Sequence, residues 1–157
     1  TEEVKQRLLA AGFLWAEVTL YVGYGTFSPV RCDDIRQHVM HREYCEIDEK
    51  AAASITEARQ KGLPVTAVGT TAARTLEGVA AACGEIMPFR GWTDIFLCPG
   101  KEVQVVDHLL TNFHVPESTL RMLVATLAGR KTVLNAYAKA IEEGYRFFSY
   151  GDAMLVL

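Results

Sequence analysis

The sequence predicts an α/β fold, a sheet flanked by helices on both faces, on three observations. Helical and strand-like patterns alternate along the chain, an apolar strand pattern runs through a Gly-Thr-Thr turn into a helix, and half of the 157 residues are apolar. That apolar share suffices for one domain, residues 1–157, to bury a core without staples. Charged residues make up 22% and the net charge is −3, which excludes a basic surface over the whole chain and leaves only local contacts to nucleic acid. Cys32, Cys45, Cys83 and Cys98 form no CxxC pair and read as buried, reduced thiols with no metal to hold. No apolar run reaches the roughly 18 residues of a membrane helix, and a charged-then-apolar leader is missing, so the expected setting is the cytoplasm.

Each element has a local cause. Thr1 followed by Glu2 and Glu3 caps a helix carrying Val4, Leu8 and Leu9, with Gly12 as its stop. That helix opens with no lead-in, so the chain is expected to be cut from something longer. Val18, Leu20 and Val22 alternate as one face of a strand. VGYGTFSP, residues 22–29, is a structured loop. Asp48 caps a helix with Ala51, Ile55 and Ala58 on one face, ended by Gly62 and Pro64. Residues 65–68 form a short buried strand, and Gly69-Thr70-Thr71 starts a helix with Leu76 and Val79 inward. Residues 94–98 and 103–106 read as a hairpin-like pair around Pro99-Gly100. Helices are expected over 116–128 and 132–143, separated by Gly129, before an apolar terminal strand.

Five groups of residues have the chemistry of a site. Gly69, Thr70 and Thr71 put free backbone N–H groups and two hydroxyls at a helix start, which favours an anion, and Arg74 one turn on adds charge; simple capping is the alternative. In VGYGTFSP, Gly23 and Gly25 let backbone approach a flat ligand, with Thr26, Tyr24 and Phe27 beside it; the alternative is a tight loop with Phe27 in the core. Arg36, His38, His41, Arg42 and Glu43 read as a local basic patch or a solvated face, since on a strand the two His of HxxH point to opposite faces. Thr111, Asn112 and His114 in TNFHVPEST crowd hydrogen-bonding groups between a strand and a helix, more than capping by Ser118 or Thr119 requires. Arg146, Tyr150 and Asp152 in RFFSYGD flank aromatics, as a site or as an ion pair buried beside the terminal strand.

Six segments in order, VTLYVGYGTFSPVR, HVMHREYCEI, VTAVGTTAARTLE, GWTDIFLCPG, TNFHVPESTLRMLVATLAG and YRFFSYGDAML, resemble successive blocks of the queuosine-pathway S-adenosylmethionine:tRNA ribosyltransferase-isomerases, in their C-terminal half. The resemblance implies part of the large α/β domain of a two-domain protein, whose small β-barrel domain is absent from this chain. It implies transfer and isomerisation of the ribosyl part of S-adenosylmethionine onto 7-aminomethyl-7-deazaguanine in the tRNA anticodon, giving epoxyqueuosine with release of adenine and methionine. The implied partners are that tRNA and S-adenosylmethionine, a consumed substrate rather than a cofactor, acting on a monomer away from any membrane. Within it the aromatic Gly loop suits adenosine, the Gly-Thr-Thr start suits the methionine carboxylate or a tRNA phosphate, and Asn112 suits a base edge. An aminomethyl group must lose a proton before it attacks carbon, which makes His114 the expected general base; Asp152 is the other residue expected to be catalytic. This chain alone is not expected to turn over. Rival readings are a non-catalytic RNA-binding module of the same fold and a different S-adenosylmethionine enzyme, such as a methyltransferase.

Overall fold

The computed structural model describes residues 1–23 and 34–157. Gly25, Thr26 and Phe27, with Tyr24 and Cys32, lie outside the described residues, as does the side chain of Arg36. The architecture is mixed α/β, with five α-helices and two three-stranded sheets among the described residues. Helix α1 spans Glu2–Ala10, and the Thr1 hydroxyl accepts from the Val4 amide at its start. Strand β1 is Thr19–Tyr21, a 3-10 turn covers Ile35–Gln37, and β2 is Glu43–Ile47. Helix α2 (Glu49–Gln60) is capped by Asp48, whose carboxylate accepts from Ala51 N at 2.7 Å. Then come β3 (Thr66–Val68), α3 (Thr70–Cys83) and β4 (Phe89–Thr93). The chain ends with β5 (His108–Asn112), α4 (Thr119–Ala128), α5 (Arg130–Glu142) and β6 (Ala153–Val156). No helix among the described residues is long and apolar enough to cross a membrane.

One sheet has the order β1-β2-β4, all antiparallel; the other has β3-β5-β6, with β3 and β5 parallel and β6 antiparallel to β5. Helix α3 touches strands of both sheets, β1, β2 and β4 on one side and β3 and β5 on the other. A helix enclosed on both sides is buried nearly all round. Accordingly Ala73 to Ala80 are buried without exception, the charged Arg74 and Glu77 included. The closest approach is at Gly78, where an added Cβ would lie 2.3 Å from Thr93 Oγ1. One contiguous core joins Cys45 and Ile47 of the first sheet, Leu76 and Val79 of α3, Leu109 and Val156 of the second sheet, and Leu123 and Val124 of α4.

Four expectations change. Strand β3 is buried only at Ala67, with Thr66 exposed and Val68 59% exposed. Residues 94–107 contain no strand, because the Glu77 carboxylate takes the amides of Gln104, Val105 and Val106 at 2.8, 2.9 and 2.8 Å. Amides so engaged cannot pair with a neighbouring strand. Helix α4 begins at Thr119 instead of Pro116: Glu117 has φ 57°, outside the helical region, and the cap is Ser118, whose hydroxyl accepts from Arg121 N at 3.2 Å. Cys45 is buried, but Cys83 is exposed at the end of α3 and Cys98 is half-buried. Gly129 does separate α4 from α5, with φ 80° at the junction.

Candidate functional site

The parallel pairing of β3 with β5 sends both strands out of the sheet at one end. Val68 lies beside Leu110, and Gly69 N donates to Leu110 O at 2.8 Å. The Gly-Thr-Thr start of α3 therefore lies beside the end of β5, Thr111 and Asn112, from which Phe113 and His114 leave the sheet. Strand β6 enters from the same end, with Asn112 paired to Ala153, so the 146–152 turn joins them. Carboxyl ends of parallel strands are the usual ligand position in open α/β sheets.

His114 is held from two directions. Its amide donates to the Tyr137 hydroxyl at 2.9 Å, and its Nε2 lies 3.0 Å from Thr111 Oγ1, a hydroxyl able to donate or accept. Burial pushes the imidazole pKa down to about 4. The ring is therefore neutral at working pH through desolvation, α4 starting five residues further on, at Thr119. Tyr137 is itself buried, its pKa raised first by desolvation, with the Arg121 guanidinium 4.9 Å over its ring. Phe113 packs edge-on against Tyr137 and Tyr145 and tilted against Phe147, an aromatic wedge that positions the residues on either side of it.

Asn112 Nδ2 donates to the carbonyls of Gly151 and Asp152 at 3.4 and 3.3 Å. The turn is closed by Asp152 N to Arg146 O at 2.8 Å and Gly151 N to Phe148 O at 3.0 Å, and is tied to β5 by Phe148 N to Phe113 O at 3.0 Å. Asp152 accepts from Arg146 N at 2.7 Å and from Arg146 Nη2 at 3.1 Å. These bonds from Arg146 hold its carboxyl below the usual carboxylate range. Both Asp152 oxygens brace the turn. The Arg146 ion pair is exposed, 75% at the arginine, and not buried as the alternative reading had it; Tyr150 stands 98% exposed. Gly151 has no room for a side chain, since a Cβ would meet Arg146 O at 2.3 Å. Gly151→Ala is expected to open this turn at a cost of about 1–3 kcal/mol. A thermal unfolding curve superimposable on the parent would contradict that.

At the start of α3, Thr71 is exposed and Thr70 buried, and no side chain among the described residues caps the helix. Arg74 departs from expectation. It is 3% exposed and ion-paired with Glu43 at 2.5 Å, so its charge is committed inside the fold. Burial lowers its pKa and the Glu43 carboxylate opposes that shift. Gly23 N donates to the other Glu43 oxygen at 3.0 Å, which anchors the end of β1 to the same pair. His38 stacks against Phe96 at 5.1 Å, and neither it nor His41 lies on a strand. Glu77, Tyr137 and Phe113 are supporting residues whose roles sequence reasoning missed, and Glu43, expected on a basic patch or a solvated face, is buried against Arg74. Charges spaced three apart in an otherwise apolar helix, Arg74 and Glu77, were the available signal. Two shallow hollows of about 370 and 410 Å³ share Arg59 and lie toward the starts of β3 and β5, away from this cluster.

A mixed α/β chain with polar groups gathered at its strand ends has many known uses, and comparison narrows them. The family profile described as queuosine biosynthesis protein matches residues 1–156, and the chain belongs to that family. It is 62% identical over 157 residues to the S-adenosylmethionine:tRNA ribosyltransferase-isomerase of Oleidesulfovibrio alaskensis and 52% identical to that of Moorella thermoacetica. All of this chain is covered, with 41% of the first relative and 46% of the second, so it spans less than half the length of either. The crystal structure of S-adenosylmethionine tRNA ribosyltransferase from Thermotoga maritima superposes with a TM-score of 0.82 at 41% identity, covering all of this chain and 50% of that one.

Proposed function

We propose that the whole protein transfers and isomerises the ribosyl group of S-adenosylmethionine onto 7-aminomethyl-7-deazaguanine in a tRNA anticodon, with adenine and methionine released. The observation that carries this reading is the match of all of this chain to a part of relatives named S-adenosylmethionine:tRNA ribosyltransferase-isomerase, together with a neutral histidine among polar groups where parallel strands end. The setting is cytoplasmic, the acting unit a monomer, and S-adenosylmethionine a substrate with no resident cofactor. The uncapped start of α3 at Thr70 and Thr71 receives an anionic group, a carboxylate or a phosphate. Gly23, Gly25, Thr26 and Phe27 border the nucleoside, and Thr111, Asn112, Arg146 and Tyr150 the transferred group or the base. Arg74 acts on the site through Glu43 and the Gly23 amide.

His114 accepts a hydrogen bond from the attacking aminomethyl nitrogen. At a pKa of about 4 it stays unprotonated at working pH, but it is a weak base, because proton transfer is most efficient from a group whose pKa lies near the working pH. Orientation of the nucleophile is thus its larger share. His114→Gln is expected to slow single-turnover transfer about tenfold or more while leaving tRNA affinity unchanged. The same substitution has a readout in folding. A histidine whose folded pKa lies below its unfolded value costs no stability above about pH 6.5; the cost grows as pH falls toward 4 and then levels. The parent should lose up to about 3 kcal/mol across that window through this residue, and His114→Gln should not. Transfer at the parental rate would remove His114 from the chemistry. For the activity as a whole, the test is adenine release from S-adenosylmethionine by the whole protein with precursor tRNA; S-adenosylhomocysteine in its place would overturn the assignment in favour of a methyltransferase.

A further inference from the structure

The first sheet carries on its outer face a row of rings that the strand-end site does not use. Register sets Tyr21 of β1 beside Tyr44 of β2, and Tyr44 beside Trp92 of β4. Adjacent ring centroids are 5.8 and 5.6 Å apart. Cys45 and Ile47, between and beyond these positions, point into the core, so the three rings face out; Tyr21 is 59% and Trp92 56% exposed. Cations border the row. The Arg42 guanidinium lies 5.9 Å from the Trp92 ring centroid, and Arg90, 76% exposed in its side chain, sits one pleat along and pairs loosely with Glu46 at 3.4 Å. Tyr21 OH also reaches Glu46, at 3.3 Å.

We propose that this face is a stacking platform for unpaired RNA bases, two of which rest on Tyr21 and Trp92 while Arg42 and Arg90 meet the adjoining phosphates. The proposal rests on the reading that the whole protein acts on tRNA. Rings on neighbouring strands, those of Tyr21 and Trp92 more than half exposed, suit unstacked bases, as in sheet-based single-strand binders that stack about two or three bases. Arg42 and Arg90 lie beside the rings. They supply the local positive charge that phosphates require on a chain of net charge −3.

The test uses the whole protein and a synthetic anticodon stem–loop RNA, with a blunt duplex of the same stem as control, both followed by fluorescence anisotropy. Trp92→Leu and Tyr21→Leu should each weaken stem–loop binding about tenfold or more, with duplex binding unchanged, and Trp92→Phe should restore most of the affinity. Arg42→Gln and Arg90→Gln should each reduce the salt dependence of binding by about one phosphate contact. Should the leucine variants fold poorly, ultraviolet crosslinking of the unmodified protein to the stem–loop must map to Tyr21, Tyr44 or Trp92. Parental stem–loop affinity in folded leucine variants, crosslinks confined elsewhere, or protection of these rings from a soluble quencher in the RNA-free protein would overturn the platform, the last making it an internal packing face. Adenine release by the same preparations separates the two readings. Absent release with intact stem–loop binding defeats the proposed activity alone, and normal release with unaltered KM for tRNA in Trp92→Leu defeats the platform alone.

Discussion

Arg74→Met is expected to cost about 3–5 kcal/mol of folding stability, because it leaves the Glu43 carboxylate, 1% exposed, without the cation 2.5 Å away. A buried charge stripped of its partner cannot recover its hydration, so the loss exceeds anything the pair contributes as a pair. The double variant Glu43→Leu with Arg74→Met should regain most of that loss, since apolar residues of similar volume replace buried pairs at little cost. Urea titrations of the three proteins give the comparison. A single variant within about 1 kcal/mol of the parent would mean that water or another group reaches Glu43 when Arg74 is gone. The effect should extend beyond stability. Glu43 also accepts the Gly23 amide, so the end of β1 is expected to loosen in the single variant.

Glu77→Ala is expected to cost about 3 kcal/mol or more, by a different route. The carboxylate, 2% exposed, is the shared acceptor for the amides of Gln104, Val105 and Val106, and each buried donor left without a partner costs about 1–3 kcal/mol. Glu77→Gln keeps one acceptor oxygen but aims an NH2 at an amide it formerly received, so its loss should fall between parent and alanine. Chemical denaturation ranks the series parent, Gln, Ala. Equal losses for Gln and Ala would indicate that charge, and not the acceptor geometry, holds residues 104–106.

What could be read from the sequence divides along physical lines. The helices were legible because their ends carry local chemistry: Thr1, Asp48 and the Gly-Thr-Thr turn at starts, Gly129 at a junction. Strands β2 and β4 were not, because their alternation is masked. The inward face of β2 holds Glu43 together with Cys45 and Ile47, while Tyr44 and Trp92 face out. A charge inside and aromatics outside invert the expected pattern, and only pairing distant in sequence explains either. That β1, β2 and β4 form one sheet and β3, β5 and β6 another is likewise a non-local fact. At the strand ends, the density of polar groups in Thr111, Asn112 and His114 was visible, whereas the commitment of Arg74 to Glu43 and of Asp152 to Arg146 was not. Spacing shows which groups are near in the chain. It does not show which charges are already satisfied.

Because α3 is the wall common to both sheets, neither sheet can peel away by itself. Lifting the first would expose Glu43 and Arg74 to separate fates, and lifting the second would uncover the apolar side of Leu76 and Val79. Partial opening at either place therefore approaches the free energy of opening everywhere, and the two sheets should behave as a single cooperative unit. Only segments that lean on α3 little, such as α1 with no buried residue, are left to fray on their own.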